Sequence, residues 1–547
     1  MRAGFCKQVI TPPLGQVSFA GYSGRRFLPR GVLTDENGVR HELYARALVL
    51  EPDDDPSPEK KICLVQTDLF MIRHYWINEV RKLANELTGI PEENICIHAT
   101  HSHQGPDSLG IYYPNHDFDP SFLDEEWLNH LKRQIAGVIF GASVDVKPCL
   151  IGVGEGKLEG WTVNRRDQGL FDNPPRNPRT VDPQVPIIKI DDMEGNTMVV
   201  ITAYATHPTF LTSLEEWNAE HVTFLVEETK KQIGRNVELM YFTAQAGDII
   251  PFMIWEGRLQ LVLNPQGKNL KKHQLGININ KNKDDKSIIE VDDIEKFAKS
   301  AEINLDQIID ALRKERGINP LVKGGKLIIS DKARIRDVFI TISKVIHADR
   351  SYRKAKYFAS MFIAEIKNHL PDIKMDSTND IMIDRELVDV EIDDADMADQ
   401  YSPLLNRENP RNREDGKILI TSEVQGIKIA NSYIICTPSE PVNEIGLRLK
   451  KLVKDQGKID YVFFFQMCND GFGYVVPPFE HEAKGYEVSI FCFGKNIGMI
   501  FEEGSLRVAS RLLEKDIHWE DVDLPVFKQA EWRESSKKAK EEWLKKQ

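Results

Sequence analysis

The sequence lacks an apolar run long enough to cross a membrane as a helix, because every hydrophobic stretch falls short of the roughly 18 to 20 residues that such a span needs. It also lacks an excess of positive charge, since 71 Lys and Arg face 84 Asp and Glu and the formal net charge is −13. Nucleic-acid binding depends on clustered Lys and Arg that neutralise phosphates. We therefore expect no integral membrane segment and no nucleic-acid partner.

Cysteine is scarce, with seven residues, an odd number, and no C-x-x-C pair. Most of the cysteines lie in apolar, strand-like runs such as "ICLVQ", "SYIIC" and "IFCFG". A free thiol in such a run behaves as a small hydrophobic side chain, so no disulfide framework is expected. The first residues, "MRAGFCKQVITPPLG", contain no apolar segment typical of an export signal, and we expect a cytoplasmic protein.

Three stretches of the chain repeat one pattern. Each has an apolar strand, a polar loop, a helix with apolar residues at i, i+3 and i+4, and a second apolar strand that ends in a polar loop. The three helices read "INEVRKLANELTG", "EHVTFLVEETKKQIG" and "NEIGLRLKKLVKDQG". The repetition predicts an α/β fold with central β-sheets flanked by α-helices, built from repeated strand-helix-strand units.

A different segment, residues 256–414, interrupts the repeats. It combines a loop rich in lysine and aspartate, amphipathic helical stretches and an acidic run, and it predicts a mainly helical insertion. Residues 1–255 and 415–515 would then form one domain that contains the repeats, followed by a charged C-terminal tail, 516–547. The insertion could cover a site or form an oligomer contact, and the sequence leaves this choice and the oligomeric state open.

Polar side chains gather where the strands of the repeats end. His101 follows the last strand of the first unit, His207 follows a strand of the second, and Glu440 follows a strand of the third. Loops at strand ends are where α/β proteins usually build sites, and two histidines with a carboxylate leave an open position on a catalytic zinc. The alternative is structural, since Asp and Asn commonly cap turns and a histidine in such a loop can be a hydrogen-bonded structural residue.

The stretch "HATHSH" contains three histidines within six positions. His98 and His101 are an odd number of positions apart, so along a strand their side chains leave opposite faces, whereas His101 and His103 share a face. We therefore expect His101 to be a metal ligand, His103 to be a neighbouring or catalytic residue, and His98 to be a structural residue that faces away.

Several motifs occur in a characteristic order: "VITPPLG", "AGY", "LYARALVLE", "ATHSHQGP", "VNRR", "TAYATHPT", "AQAGDIIP", "TPSEP" and "NDGFGYVVPPFEHEAKGYE". In this order they resemble the neutral, non-lysosomal ceramidases and their bacterial relatives. The resemblance covers residues 1 to about 255 and about 415 to 515. The zinc ligands that it implies are His101, His207, Glu440 and Tyr474. The candidate catalytic residues are His103, Arg165, Tyr486 and Asp248.

These residues predict a zinc-dependent hydrolase of an amide (N-acyl) or related carbonyl bond, with Zn²⁺ as cofactor and a small-molecule or lipid-like N-acyl substrate. Zinc lowers the pKa of a bound water to about 7 and polarises a carbonyl as a Lewis acid, so the attack would come from a metal-activated water. His103 would move a proton or stabilise the oxyanion, and Arg165 or Tyr486 would stabilise the developing negative charge.

Three departures from the family pattern keep other functions open. Ile250 stands where the family has a serine thought to act in catalysis, and an isoleucine can neither attack a carbonyl nor donate a hydrogen bond. Gln104 replaces the serine of the histidine motif, and a short charged tail stands where the ceramidases have an immunoglobulin-like domain. One alternative is a zinc-binding pseudoenzyme without turnover. The other is a true ceramidase, which needs an apolar channel that the loops "GYVVPPFEH" and "IIPFMIW" would line.

Overall fold

The chain folds into two compact units in a computed structural model. The first unit comprises Met1–Thr209, Glu215–Pro251 and Phe358–Gln547, and the second comprises Phe210–Leu214 and Phe252–Tyr357. The structure describes residues 1–21, 28–29, 31–35, 38–110, 123–166, 181–211, 216–251, 260–263, 274–281, 287–291, 294, 305–316, 318–323, 326–329, 335–392, 402–405, 407, 410–412, 418–522, 524 and 530–545.

The secondary structure is mixed. The strands are β1 (Arg2–Val9), β2 (Gly31–Val32), β3 (Tyr44–Glu51), β4 (Ile62–Thr67), β5 (Ile95–Ala99), β6 (Lys147–Pro148), β7 (Leu150–Lys157), β8 (Thr162–Asn164), β9 (Gln184–Asp191), β10 (Thr197–Tyr204), β11 (Glu216–Trp217), β12 (Glu238–Thr243), β13 (Ile249–Pro251), β14 (Gln260–Leu263), β15 (Gln274–Lys281), β16 (Ser287–Val291), β17 (Leu321–Lys323), β18 (Lys326–Ile329), β19 (Ile381–Ile392), β20 (Arg411–Asn412), β21 (Ile418–Ile429), β22 (Ser432–Cys436), β23 (Glu440–Pro441), β24 (Tyr461–Phe465) and β25 (Tyr474–Val475). The helices are α1 (His74–Thr88), α2 (Glu125–Val144), α3 (His221–Gln232), α4 (Leu305–Arg316), α5 (Ile335–His369), α6 (Ser402–Leu405), α7 (Asn443–Gly457), α8 (Pro478–Ala483), α9 (Tyr486–Phe491), α10 (Ile497–Leu513) and α11 (Ala530–Leu544).

The three sequence repeats fold into the same arrangement. In each, two antiparallel strands are followed by a helix and by a third strand that lies parallel to the second. The units are β3-β4-α1-β5, β9-β10-α3-β12 and β21-β22-α7-β24. The corresponding sheets have the strand orders β5-β4-β3-β1-β6, β12-β10-β9-β7 and β19-β21-β22-β24. The predicted α/β fold with repeated strand-helix-strand units is therefore confirmed.

The helix of the first repeat shows why its sequence folds in this way. Trp76, Ile77, Val80 and Ala84 are buried along one face of α1, as expected from their helical spacing. The helix ends at Gly89, which has a left-handed backbone (φ 74°) and donates its N–H to the carbonyl of Asn85. Glycine adopts this conformation without a steric penalty, so it stops the helix and turns the chain toward β5.

Inward-facing side chains of the three repeats meet in one apolar core. It includes Cys96 of β5, Phe242 of β12 and Phe465 of β24. The rings of Phe242 and Phe465 stack with centroids 4.2 Å apart. Burial of each such ring contributes roughly 1.5 to 3 kcal/mol. The shared core fixes the ends of the parallel strands relative to one another, and these ends carry the predicted site.

The segment 256–414, predicted as a mainly helical insertion, contains strands as well as helices in its described residues. It contains helices α4 and α5, but β14, β15, β16, β18 and β17 form a five-stranded sheet within it. In addition, β19 pairs with β21 of the third repeat over its whole length. The acidic run begins within β19 and follows the alternation of a strand: Val388, Val390 and Ile392 are buried, and the acidic residues between them are more exposed.

Within the described part of the chain, no helix combines the length and the apolar character that a membrane span requires. In the charged C-terminal tail, α11 places Lys540 in a buried position, where its ammonium lies 3.0 Å from Glu503 and donates to the carbonyl of Met499 at 3.2 Å.

Candidate metal centre

The predicted metal ligands meet in one buried cluster. His101 follows β5, His207 follows β10, and Glu440 and Tyr474 are paired residues of the short parallel strands β23 and β25. All four side chains are buried, as is His103. Each of the three repeats therefore contributes at least one side chain to the cluster, from the segment that follows one of its strands.

Backbone geometry aims these side chains at a common point. His101 has a positive φ of 62°, which is uncommon for a residue other than glycine and turns the chain sharply after β5. The backbone N–H of His207 donates to the carbonyl of Ile249 at 2.9 Å, and the N–H of Glu440 donates to the carbonyl of Gly473 at 2.7 Å. Hydrogen bonds between segments therefore fix the loops that carry the cluster.

The two histidines are oriented through their outer ring nitrogens. Nδ1 of His101 lies 2.8 Å from the carbonyl oxygen of Phe70, and Nδ1 of His207 lies 2.7 Å from that of Ala246. A carbonyl oxygen only accepts, so each Nδ1 carries the hydrogen and donates it. This leaves both Nε2 atoms turned toward the cluster, in the orientation that metal-binding histidines adopt when the other nitrogen is held by an acceptor.

The inner atoms are in close contact. Nε2 of His101 and Nε2 of His207 lie 2.9 and 3.3 Å from Oε2 of Glu440, and the hydroxyl of Tyr474 lies 3.4 Å from Nε2 of His207. Nitrogen lone pairs and a carboxylate oxygen repel one another at such distances unless a positive charge lies among them. Two imidazoles with carboxylate and phenol oxygens form a donor set suited to zinc. The residues therefore fit a metal ion.

The electrostatics of the cluster follow from burial. Burial lowers the pKa of His207, so its imidazole is neutral at neutral pH, as a ligand must be. Burial also raises the pKa of Glu440, but its interactions with His101 and His207 outweigh burial and hold the pKa well below its usual range. Burial raises the pKa of the Tyr474 hydroxyl well above its usual value, although the positive charge of Arg165 opposes the shift.

His103 borders the metal ligands and is fixed by neighbours that sequence reasoning did not single out. Its Nε2 lies 3.3 Å from Nε2 of His101. The ring of Phe70 stacks on His101 with centroids 4.5 Å apart and meets the edge of His103 at 5.1 Å. On the other side, Gly21 of the "AGY" motif (φ 90°) leaves no room for a side chain, because a Cβ would lie 2.6 Å from Nδ1 of His103. Tyr22 of that motif lies outside the described residues.

Arg165 lies between two tyrosine rings at the edge of the cluster. Its guanidinium carbon is 5.2 Å from the ring centroid of Tyr474 and 4.4 Å from that of Tyr486. Its Nε–H donates to Oε1 of Glu487 at 2.6 Å, and its Nη2 donates to the carbonyl of Gly247. Arg165 and Tyr486, both predicted as catalytic residues, therefore lie beside the predicted metal ligand Tyr474.

Glu487 is a residue that sequence reasoning missed. Its carboxylate is fully buried and accepts hydrogen bonds from both Arg165 and Arg166. Burial raises its pKa, but the two guanidinium groups outweigh this effect and lower the pKa overall. The available signal was an acidic residue directly after Tyr486 in the "GYE" motif together with two adjacent arginines in "VNRR".

Asp248, predicted as catalytic, accepts hydrogen bonds from separate segments of the chain. Its two carboxylate oxygens accept hydrogen bonds from Nδ2 of Asn164 at 2.6 Å and from the backbone N–H of Asn443 at 2.7 Å, and its carbonyl accepts from the N–H of Arg165 at 2.9 Å. These contacts join β8, the loop before β13 and the start of α7. The neighbouring Ile250 lies in β13, is 6% exposed and pairs with Val163.

Other polar residues at the strand ends have structural contacts. Nε2 of His98 accepts the backbone N–H of Thr243 at 3.1 Å, in agreement with the structural role expected for this histidine. Asp68 accepts from Arg46 at 3.0 Å and from Gln66 at 2.7 Å. Residues 252–255 of the "IIPFMIW" loop lie outside the described residues.

Comparisons with known proteins agree with the resemblance. Residues 1–229 match the family model described as neutral/alkaline non-lysosomal ceramidase, N-terminal. The neutral ceramidase of Mycobacterium tuberculosis is 29% identical over 184 residues, which are 32% of this chain and 28% of that protein. The neutral ceramidase of Pseudomonas aeruginosa is 25% identical over 225 residues, 40% of this chain and 31% of that protein. The chain therefore matches less than a third of the length of these two relatives.

Solved structures share the fold over a larger part of the chain. A crystal structure of the neutral ceramidase from Pseudomonas aeruginosa has a TM-score of 0.57 at 16% identity and covers 93% of this chain and 74% of that chain. A ceramidase complexed with C2 has a TM-score of 0.58 at 14% identity and covers 96% of this chain and 77% of that chain. Residues 1–229 are thus similar in sequence to the N-terminal part of the neutral/alkaline non-lysosomal ceramidases, and the fold of the chain is similar to that of a solved neutral ceramidase.

Proposed function

We propose that this protein is a zinc-dependent hydrolase of an amide (N-acyl) bond. The observation that carries the proposal is the convergence of the inner atoms of His101, His207, Glu440 and Tyr474 at distances of 2.9 to 3.4 Å. When bound, zinc supplies a Lewis acid that polarises a carbonyl and lowers the pKa of water to about 7. The similarity of residues 1–229 to neutral/alkaline non-lysosomal ceramidases supports the same class of chemistry.

The side chains around the cluster supply the remaining roles. The guanidinium of Arg165 is a fixed positive charge, because Glu487 and the carbonyl of Gly247 hold it in place. Such a preorganised charge stabilises the negative charge that develops on a carbonyl oxygen during attack. Tyr486 packs against this guanidinium and can donate its hydroxyl hydrogen to the same oxygen. His103 borders the ligands and is placed to transfer a proton to the leaving nitrogen.

The substrate class that we propose is a lipid-like or small N-acyl compound. The relatives named above are neutral ceramidases, and their name supports an acylated amino group as the target. Ile250 supports a reaction in which no side chain at that position attacks the carbonyl, because it has neither a nucleophile nor a donor. The length of the acyl chain is the property that the experiment below varies.

The test combines metal content with hydrolysis. Elemental mass spectrometry on the wild-type protein and on His207→Ala should show the loss of one zinc per chain in the variant. Fluorogenic N-acyl substrates of increasing chain length should be hydrolysed only by the wild type, and a chelator should abolish turnover. His221→Ala is the matched control, because it removes a buried imidazole that packs against Tyr241 at 5.0 Å between ring centroids. Equal zinc content in His207→Ala and wild type would overturn the proposal.

A second candidate function is metal binding without turnover, and Ile250 is the observation that favours it. If the family serine position alone limits the reaction, Ile250→Ser should gain hydrolysis that the wild type lacks. Ile250→Val serves as the control for the change in volume, since it keeps an apolar β-branched side chain in β13. Hydrolysis by the wild type at a rate equal to or above that of Ile250→Ser would exclude this candidate.

A further inference from the structure

Three cysteines from separate parts of the chain meet in the core. Cys96 lies in β5, Cys436 ends β22, and Cys468 follows β24. Their sulfur atoms all lie within 4.8 Å of one another, and the Sγ atoms of Cys96 and Cys436 are 3.9 Å apart. Each of the three residues is at most 1% exposed. No sequence motif marks this cluster, because the cysteines occupy separate apolar runs.

The backbone around the cysteine cluster is fixed by hydrogen bonds between the first and third repeats. The N–H of Cys468 donates to the carbonyl of Thr437 at 2.9 Å, and the N–H of Asn469 donates to the carbonyl of Ile97 at 2.7 Å. The side-chain oxygen of Asn469 accepts the N–H of Ile97 at 2.7 Å in return. The loop after β24 is therefore held directly against β5. Backbone hydrogen bonds thus fix the positions of the segments that carry the three sulfurs.

The spacing of the sulfurs suits a shared metal ion. Zinc binds thiolate sulfur at about 2.3 Å, so sulfurs around one ion in trigonal or tetrahedral geometry lie about 3.8 to 4.0 Å apart. The distance of 3.9 Å between Cys96 and Cys436 falls in this range. Soft thiolate ligands select Cu⁺ and Zn²⁺ over hard cations such as Mg²⁺ and Ca²⁺.

The protonation of the three thiols is unequal. Contacts with the thiols of Cys436 and Cys468 lower the pKa of the Cys96 thiol, and the nearby guanidinium of Arg81 acts in the same direction against burial. Burial raises the pKa of Cys436 and of Cys468. Cys96 is thus the sulfur that most readily becomes a thiolate, and a cation that binds it would displace the protons of the other two.

We propose that Cys96, Cys436 and Cys468 bind one thiophilic d¹⁰ metal ion, Cu⁺ or Zn²⁺, at a structural site distinct from the histidine cluster. Each thiol that enters the site as a thiolate releases one proton to solvent, and no electron is transferred. Because the sulfurs are enclosed, the ion is taken up as the chain folds, and its binding free energy then stabilises the contact between the first and third repeats.

The test uses the intact protein produced in media supplemented with copper or with zinc. Elemental mass spectrometry should find one ion per chain that is retained in His207→Ala and lost in Cys468→Ala and Cys436→Ala. The medium in which the ion appears identifies it as copper or zinc. Cys149→Ala is the matched control, because Cys149 is a buried cysteine of the same apolar core that lies outside the cysteine cluster. Unchanged metal content in Cys468→Ala would overturn the proposal.

A second measurement covers the case in which the cysteine variants do not fold. X-ray absorption at the copper and zinc edges of His207→Ala, which keeps all seven cysteines, should show sulfur ligands at about 2.3 Å. An absence of bound copper and zinc, or ligation by nitrogen and oxygen alone, would overturn the proposal. Loss of metal from the histidine cluster in the same sample bears only on the proposed hydrolase, so the two outcomes remain distinguishable.

Discussion

Glu440 and Tyr474 are directly paired in the parallel ladder between β23 and β25. The ladder is only two residues long, yet it places a carboxylate and a phenol beside each other although 34 positions separate them. The loop containing Gly247 closes against it, because the N–H of Gly247 donates to the carbonyl of Pro441 at 2.9 Å and a Cβ at Gly247 would lie 2.5 Å from the carbonyl oxygen of Glu440. Backbone pairing rather than side-chain packing thus sets the register of the oxygen donors.

Tyr474→Phe should weaken metal binding without unfolding the protein. The change removes the hydroxyl that lies 3.4 Å from Nε2 of His207 but keeps the ring against Arg165. We expect a loss of metal affinity of about 10- to 100-fold, measured by competition with a chromogenic chelator. Tyr433→Phe removes a buried hydroxyl from β22 and should leave the affinity unchanged. Equal affinities for Tyr474→Phe and wild type would remove Tyr474 from the metal site.

The sequence predicted the repeats and the meeting of His101 with His207 because both rest on local signals. Hydrophobic periodicity identifies each strand-helix-strand unit, and the histidines lie directly after apolar strands. Tyr474 was reached only through resemblance, since nothing in its neighbours marks an aromatic residue as a ligand. The cysteine cluster and the role of Glu487 were not predicted, because they depend on contacts such as that between Arg165 and Glu487, 322 positions apart. Such contacts exist only once the sheets have assembled.

Gly21→Ala should lower turnover through His103, and Gly15→Ala should separate this effect from backbone strain. Gly21 and Gly15 have similar positive φ values, 90° and 82°, so an alanine at either position should cost about 1 to 2 kcal/mol of unfolding free energy. Only at Gly21 does the new Cβ meet the imidazole of His103, at 2.6 Å, whereas at Gly15 it meets nothing within 4 Å.

We therefore expect both glycine variants to unfold at lower urea concentration, and only Gly21→Ala to lose kcat/KM, by up to about 100-fold for a displacement near 1 Å. The measurement is steady-state hydrolysis of a fluorogenic N-acyl substrate beside urea unfolding. The same kcat/KM in both variants would show that His103 has no role that depends on its position.

Glu487→Gln should reduce activity while leaving the metal in place. Glutamine keeps the shape but removes the negative charge that compensates the buried guanidinium groups of Arg165 and Arg166. Breaking a buried ion pair from one side typically costs about 3 to 5 kcal/mol, and Arg165 would lose the contact that orients it. We expect lower kcat/KM, unchanged metal content, and a lower free energy of unfolding in urea.

Glu482→Gln is the matched control for the Glu487 variant. Glu482 is 65% exposed in α8 and lies 3.6 Å from Lys495, a surface pair that contributes about 0 to 1 kcal/mol. Glu487→Asp should restore part of the activity, because it retains the charge. If Glu487→Gln kept full kcat/KM, Arg165 would not depend on Glu487 for its position.

Glu423 joins the first and third repeats through a buried ion pair. Its carboxylate, 1% exposed, accepts two hydrogen bonds from Arg81 of α1, at 2.6 and 2.9 Å, and one from Arg385 of β19 at 2.9 Å. Burial raises the pKa of Glu423, but Arg81 and His74 outweigh it and hold the pKa well below its usual range. The carboxylate therefore stabilises the fold in its charged form.

Glu423→Gln should destabilise the protein by about 3 to 5 kcal/mol at neutral pH, because it leaves buried guanidinium charge uncompensated.

In the wild type the folded-state pKa of Glu423 lies below the unfolded value of about 4.3, so the unfolded state binds the proton first as the pH falls. The stability due to Glu423 is complete above that value and is lost as the pH falls toward the folded-state pKa. The difference in unfolding free energy between wild type and Glu423→Gln should therefore shrink below about pH 4.3, measured by urea unfolding between pH 7 and pH 3. Glu386→Gln, which alters a partly exposed pair between β19 and Arg511 of α10, should show a small difference at neutral pH. A Glu423→Gln effect that stayed constant across this pH range would mean that packing, and not the charge of the carboxylate, joins the two repeats.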